Sequence, residues 1–361
     1  MRKLAPQDKK GKKKKVFVGM SGGVDSSVTA ALLQKAGHDV TVVFIRAGEP
    51  EGMPCSWRDE RRDAMRVAVH LGIPFLTFNF EKLYKQDVVD YLIREYKKGN
   101  TPNPDVMCNR YIKFNAFYKK ARSLGADCIA TGHYARIVRS SGSYVITRGI
   151  LKEKDQSYFL WAIPKEVLAR TLFPVGGFTK EKTRMFARTF KLPTAEKKDS
   201  QGLCFIGKLD IKEFLSDYIP KRPGVVLDET GKKIGTHQGV NLFTIGERHG
   251  FNISTSHKNP LYVTSKENKK NILVVGSRYS VSSKKEDTIT LRETSWFMKP
   301  LKNKIYQIQV RYHGEMYRAK VKEIKRQSVI IEPLESIDAL TVGQSCVLYD
   351  KEKCFGGGII G

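Results

Sequence analysis

The strongest constraint on this chain lies between residues 16 and 135, where short β-branched runs alternate with amphipathic stretches. "KVFVGM", "DVTVVFIR", "PFLTFNF" and "ADCIATGHYAR" read as buried strands, and residues 25–37, 57–71, 83–98 and 113–123 read as the helices between them. Strands separated by helices require βαβ units with right-handed crossovers, hence an α/β fold with a doubly wound parallel sheet whose ligands sit at the carboxyl ends of the strands. From about 140 to 210 the pattern is mixed and more helical, with "KEVLARTL" and "TKEKTRMFARTF" as candidate helices. Beyond 221, "RPGVVLDETGKKIGTHQG" and "LYVTSKENKKNILVVG" form strand pairs around Gly-, Asn- and Lys-rich turns. From about 285, "KIYQIQVRYHG", "MYRAKVKEI", "SVIIEP" and "SCVLYD" predict a small β-barrel. The expected division is a disordered basic tail over 1–15, a catalytic domain over 16–210, a small central mixed domain over 211–284 and a C-terminal β-barrel over 285–361.

The first strand runs into "SGGVDSS". Gly22 and Gly23 let backbone approach an anion, and the free N–H groups of the helix that follows point at it, aided by the helix dipole. The lysine of a G-x-x-x-x-G-K-[ST] loop, which grips the β- and γ-phosphates, is missing, and G-x-G-x-x-G is absent too. Asp25 stands there instead, suited to Mg²⁺, with Ser21 and Ser26 as hydroxyl donors. Such a loop suits attack at the α-phosphorus with pyrophosphate departing. The alternative is purely structural: Asp25 and Ser26 as caps of a helix after a glycine turn.

Charge points to the partner. Lys and Arg number 64 against 37 Asp and Glu, a net charge of +27, of which the first fifteen residues supply +7 and the rest of the chain +20. That surplus favours a polyanion, because each neutralised phosphate releases counterions; a generally basic proteome is the alternative. No apolar run is long enough to span a bilayer, and the N-terminus "MRKLAPQDKKGKKKK" lacks a secretory core, so the cytoplasm is the expected location. Six scattered cysteines without a C-x-x-C pair fit neither a disulfide scaffold nor a four-thiolate zinc site. Cys128 reads as strand core, Cys346 and Cys354 as barrel core, and Cys55 is unassigned.

Two cysteines remain. In "TPNPDVMCNRYIKF", two prolines precede a helix start that places Asp105 and Cys108 on one face. A thiol near a helix N-terminus gains thiolate character, which Arg110 and Lys113 favour, and Asp105 is placed to exchange a proton. The alternative is a half-buried helix-start cysteine. Cys204 sits in "KKDSQGLCFIGK", read as an accessible loop.

"SGGVDSS" resembles the PP-loop of the ATP pyrophosphatases, which adenylate an oxygen and release pyrophosphate. Together with "NPDVMCNRYIKF", "ATGHYAR", "KDQSYFL" and "DSQGLCFIG", in this order, and "VRYHG" and "GQSCVLYD" further on, the chain from about 16 to 361 resembles the bacterial tRNA-specific 2-thiouridylases. The resemblance implies that ATP converts the C2 oxygen of the wobble uridine into an adenylate and that a persulfide sulfur then displaces AMP. It implies Cys204 as persulfide carrier, Cys108 as its nucleophilic partner (attacking the persulfide, or closing a disulfide with Cys204 after transfer), and Asp105 as acid–base residue. It places Gly19, Met20, Ser21, Gly22, Gly23, Val24, Asp25, Ser26, Ile45 and Gly132 at ATP, and Asn103, Pro104 and Asp105 at the target base. Lys154, Asp155, Gln156, His133, Arg311, Tyr312 and Gln344 become tRNA contacts. Structural alternatives stand beside these: His133 as a hydrogen-bond donor at a strand end, 152–160 as a helix start, and strand alternation pointing Arg311 and Tyr312 to opposite faces.

The implied cofactors are ATP and Mg²⁺, with an iron–sulfur cluster on Asp105, Cys108 and Cys204 ranked second because clusters favour thiolate ligands. The implied partners are the tRNAs for Lys, Glu and Gln and a cysteine desulfurase or sulfur-relay protein, with no membrane and a monomer by default. Rival readings are another PP-loop ligase, which needs no paired thiols, an RNA-binding protein with a decayed ATP site, and an ATP-binding scaffold without chemistry.

Overall fold

In the computed structural model, which describes residues 13–48, 57–140, 142–199, 211–254, 259–277 and 287–361, the N-terminal alternation becomes a parallel sheet. The strands up to residue 172 are β1 (Lys15–Gly19), β2 (Asp39–Arg46), β3 (Phe75–Asn79), β4 (Cys128–Thr131), β5 (Ala135–Ser140), β6 (Ser143–Arg148) and β7 (Thr171–Leu172). Five of them form one sheet in the order β3-β2-β1-β4-β7, parallel throughout. The central strands are apolar and buried on both faces, as helices on either side of a parallel sheet demand. After β1 the chain steps to β2 and β3, then returns to place β4 on the other side of β1. This reversal opens a crevice beyond the ends of β1 and β4.

The helix α1 (Val24–Lys35) follows β1, and α2 (Trp57–Leu71) ends at Leu71, as its amphipathic pattern predicts. Three expectations need correction. "ADCIATGHYAR" is two strands, because a turn at 132–134 sends β4 and β5 into different sheets. "KEVLARTL" is helical only over Lys165–Leu168 and then supplies β7, whose Thr171 and Leu172 are buried beside β4, so tertiary packing overrides helix propensity. The helix expected at 113 starts at Pro104, capped by Asn103, and contains a wide π-helical stretch over Cys108–Ala116 with a kink at Phe114.

The middle segment folds as a second sheet, from β8 (Gly224–Leu227), β9 (Lys233–His237), β10 (Phe251–Ile253), β11 (Tyr262–Glu267) and β12 (Ile272–Gly276), in the order β10-β9-β8-β12-β11. The last six strands are β13 (Ile289–Trp296), β14 (Ile305–Gln309), β15 (Tyr317–Ile324), β16 (Ser328–Pro333), β17 (Ser345–Asp350) and β18 (Lys353–Ile360). They close into a barrel through pairing of β13 with β18. Cys346 and Cys354 are fully buried in its walls, and burial pushes the Cys354 thiol up to about 12; they are inert core residues, as the sequence predicts.

The β5–β6 hairpin, which lies in and beside the stretch read as mixed and helical, is the join between the units. It leaves the catalytic domain and pairs through β6 with β18, Thr147 opposite Lys353 and Ile146 opposite Cys354. Behind it, the buried Trp161 Nε1 donates to Ser345 Oγ at 2.9 Å and Tyr158 Oη to the Ser345 carbonyl at 2.9 Å. Ser345→Ala leaves the indole N–H without an acceptor, which costs about 1–3 kcal/mol. A lower urea midpoint with an unchanged slope is the expected result; an unchanged midpoint would show that the bond adds nothing.

Candidate active site

The segment Gly19–Ser26 turns from β1 into α1 at the crevice. Gly22 has φ +74°, and a Cβ there would lie 2.4 Å from the Glu60 carbonyl oxygen of α2, so only glycine fits. Gly132, at the end of β4, abuts the same loop: a Cβ would lie 2.7 Å from the Ser26 nitrogen. Gly23 is the N-cap of α1, and no side chain caps the helix. The capping alternative for Asp25 and Ser26 therefore fails, since Ser26 Oγ donates back to the Gly23 carbonyl at 3.1 Å. The first N–H groups of α1 are left for an anion. Met20 in the loop and Ile45 near the end of β2 are buried, whereas Ser21 is exposed.

Asp25 faces a cation that the sequence reading missed. Lys180 Nζ lies 2.7 and 2.9 Å from the two Asp25 carboxylate oxygens, and Tyr134 Oη donates to the same carboxylate at 2.8 Å. Lys180 also bridges to Asp199 at 2.8 Å. Asp199 further binds Arg184 at 2.8 Å and Lys154 at 3.0 Å. Burial alone would raise the Asp199 carboxyl, but hydrogen bonds from Lys180 and Lys154 and their charges outweigh it and hold the group below its usual range. Lys180 is 8% exposed and occupies the first turn of the Lys180–Thr189 helix, where a cation opposes the dipole. That misplacement is the one sequence signal that marked it. The site can cradle phosphates on backbone, and Lys180 supplies the positive charge that the loop lacks. Asp25 would be the carboxylate to hold a magnesium ion, exchanging one of its contacts with Lys180 or Tyr134 for the metal.

The second candidate group lies on the helix from Pro104. Asn103 Oδ1 accepts from the Val106 N–H at 3.3 Å, with Pro104 at the first position. Asp105 is half-buried and Cys108 is wholly buried, deeper than even the half-buried helix-start cysteine of the structural alternative. The physical reason is the neighbouring Asn109, whose Nδ2 donates to the Phe159 carbonyl at 3.1 Å and draws the helix onto the 157–160 turn. Cys108 joins the core beside Ile112 and Phe117. Cys204 and Cys55 lie outside the described residues; Asp199, five positions before Cys204, is the nearest of the site's described groups along the chain. Among the described residues no three His, Cys, Asp or Glu side chains converge as metal donors.

The residues expected at RNA have protein partners. His133 is 9% exposed, with Nδ1 2.7 Å from Thr131 Oγ1 and its ring packed against both Phe114 and Phe173. Burial, and then the Lys113 charge, hold its pKa well below the usual histidine value. The folded protein thus refuses a proton that the unfolded chain accepts near pH 6.5, so stability falls as pH drops below that value. His133→Gln is expected to flatten the loss of urea midpoint between about pH 7 and 5, and an unaltered slope would assign the loss elsewhere. Asp155 accepts from the Gly149 and Ser157 N–H groups, and Gln156 Oε1 from the Tyr134 N–H. Gln344 Nε2 donates to the Thr101 carbonyl at 3.1 Å. Arg311 donates to the Ala339 carbonyl. Arg311 and Tyr312 lie in a turn past the end of β14, so strand alternation does not separate them.

An uncapped helix N-terminus after a glycine turn, at the switch point of a parallel sheet, defines a nucleotide-binding α/β enzyme domain. Residues 14–208 match the family model described as "tRNA methyl transferase HUP domain", 212–277 the corresponding PRC-barrel domain, and 286–360 an "Aminomethyltransferase beta-barrel domain". The tRNA-specific 2-thiouridylase MnmA of Bacillus subtilis is 41% identical over 96% of this chain and 94% of its own length. That of Bacillus velezensis is 42% identical over the same shares. A 4-thiouridine synthetase–RNA complex with bound ATP shares 23% identity over 57% of this chain and 50% of that chain, with a TM-score of 0.38, and no argument rests on it. The chain belongs to the tRNA-specific 2-thiouridylase family.

Proposed function

We propose that this protein thiolates C2 of the wobble uridine in tRNA at the expense of ATP. The observation that carries the reading is the uncapped start of α1 with Lys180 held between Asp25 and Asp199. Backbone N–H groups and Lys180 hold the β- and γ-phosphates, and uridine O2 attacks the α-phosphorus as pyrophosphate leaves; a magnesium ion, which Asp25 would hold, would neutralise charge on the departing phosphates. The terminal sulfur of a Cys204 persulfide then attacks C2 and AMP leaves. Cys108 attacks Cys204 Sγ, the S–S bond breaks, and its electron pair completes the C2=S bond. A Cys108–Cys204 disulfide remains, to be opened by a thiol reductant. Asp105, three residues before Cys108, moves the proton. Cys108 must become reachable for this step, and RNA seating on the 101–108 segment is the event that opens it.

The same reading takes a basic arm over 1–15, a catalytic unit over 16–210, a middle unit over 211–284 and a barrel over 285–361, acting as a cytoplasmic monomer served by a desulfurase or sulfur-relay protein. Among the described residues no helix is long and apolar enough to cross a membrane. The test is a single turnover of the full chain with ATP, Mg²⁺, sulfide and an unmodified wobble-uridine tRNA transcript. Formation of 2-thiouridine with stoichiometric AMP and pyrophosphate is expected. AMP and pyrophosphate without thiolation would reduce the reading to an adenylating ligase. Activity that appears only after anaerobic reconstitution with iron and sulfide would replace the persulfide by a cluster.

A further inference from the structure

A ladder of aromatic rings runs outward from the Cys108 helix. Its inner end is Phe159, whose carbonyl accepts from Asn109, the residue after Cys108. Phe159 packs on Tyr158 with centroids 5.5 Å apart and on Tyr312 with centroids 4.3 Å apart. His313 stacks on Tyr312 at 3.9 Å and 26°. Tyr158 is buried, Phe159 and Tyr312 are half-buried, and His313 is exposed, so the ladder ends in an exposed residue whose ring stacks on Tyr312.

The turn that carries the outer ring is tight. His313 has φ +56°, a left-handed conformation in which His is enriched but still uncommon. The turn around it is closed by the Gly314 N–H, which donates to the Arg311 carbonyl at 3.1 Å. A Cβ at Gly314 would lie 2.4 Å from Arg311 Cγ. The surrounding charge is mixed: burial raises the Tyr312 phenol and the Asp155 and Asp105 charges raise it further, so the ladder stands beside the carboxylate of the candidate site. Arg110 and Arg311 are close in chain to Cys108 and to His313 respectively, and both are partly exposed.

We propose that His313 is a stacking platform for an unpaired base of the RNA loop that presents the target uridine. An exposed ring on an aromatic support, next to the group expected to act on one splayed base, is the arrangement by which proteins hold a neighbouring base out of its stack. Every base has a π-face, so such a platform holds the loop without reading its sequence. This rests on the thiolation reading above and adds a residue outside the set that the resemblance implies. His313 is a positioning residue, since it supports a base other than the one that reacts.

The test measures binding of an unmodified wobble-uridine tRNA transcript by fluorescence anisotropy, and thiolation at saturating ATP. His313→Ala is expected to weaken RNA binding roughly tenfold and to raise KM for tRNA with kcat little changed. His313→Phe, which keeps an aromatic face and loses the ring nitrogens, is expected to bind as the wild type does. A series of transcripts abasic at single loop positions should contain one whose loss is not additive with His313→Ala. Equal loss for Ala and Phe would overturn stacking in favour of a hydrogen bond from the imidazole, and no loss for Ala would remove His313 from the interface. Wild-type protein that fails to bind or thiolate the transcript would sink the functional reading, and the platform with it.

Discussion

Lys180→Met is expected to lower AMP and pyrophosphate formation by about 100- to 1,000-fold, the usual effect of removing one pre-placed charge from the phosphates of a reacting nucleotide. The argument is that the loop after β1 has backbone donors and one carboxylate but no cation, and that Lys180 is 2.7 Å from Asp25 and 2.8 Å from Asp199. Free sulfide should not rescue this variant, because the loss precedes sulfur chemistry. The substitution also leaves two carboxylates without their shared partner, so stability must be followed alongside. Lys180→Arg restores the charge and should recover most of the fold stability but only part of the rate, since the planar guanidinium cannot take the place of a point charge between two carboxylates. AMP formation by the Met variant within a few-fold of wild type would assign Lys180 to scaffolding alone.

Cys108→Ala is expected to act on the other half-reaction. Formation of 2-thiouridine through the persulfide should fall about 1,000-fold or more, as when a nucleophile is deleted elsewhere, while adenylation persists. The thiol is wholly buried, in the core cluster that includes Ile112 and Phe117. Truncating it in a packed core also costs about 1 kcal/mol. A purely structural cysteine would lower stability and depress both half-reactions together. Selective loss of sulfur transfer with adenylation kept, at a melting temperature lowered only by the few degrees that about 1 kcal/mol accounts for, therefore decides for chemistry, and parallel loss decides against it.

The phosphate loop was legible because glycines, a carboxylate and hydroxyls in one short string after a buried strand leave few other uses for it. Helix α2 was legible because its apolar stripe is strong, with Ala64, Val67 and Ala68 buried on one face and charged residues on the other. Lys180 was not, because its partners lie 155 residues before it and 19 after it, and no local pattern carries such a pairing. The two-residue strand Thr171–Leu172 is shorter than any periodicity can register. The break at Gly132 was hidden because strand-forming stretches, Cys128–Thr131 and Ala135–Ser140, lie on both sides of it, although close approach to Ser26 is what makes that glycine necessary. Burial of Cys108 depends on Asn109 reaching the Phe159 carbonyl, fifty residues away, which spacing alone cannot show.

The strand shared between the catalytic unit and the barrel bears on how such chains can be recombined. Domain boundaries drawn along the sequence cut between 208 and 212 and again between 277 and 286, yet β6 belongs to the barrel sheet while sitting more than 130 residues before it. A catalytic unit produced alone would expose β6 as a bare edge, open to pairing with other chains. A barrel transplanted from a relative would meet a hairpin grown for a different strand. The exchangeable part is therefore the barrel together with residues 135–148, two pieces of chain that must travel as one. Any graft that moves the barrel without that hairpin begins with a broken seam.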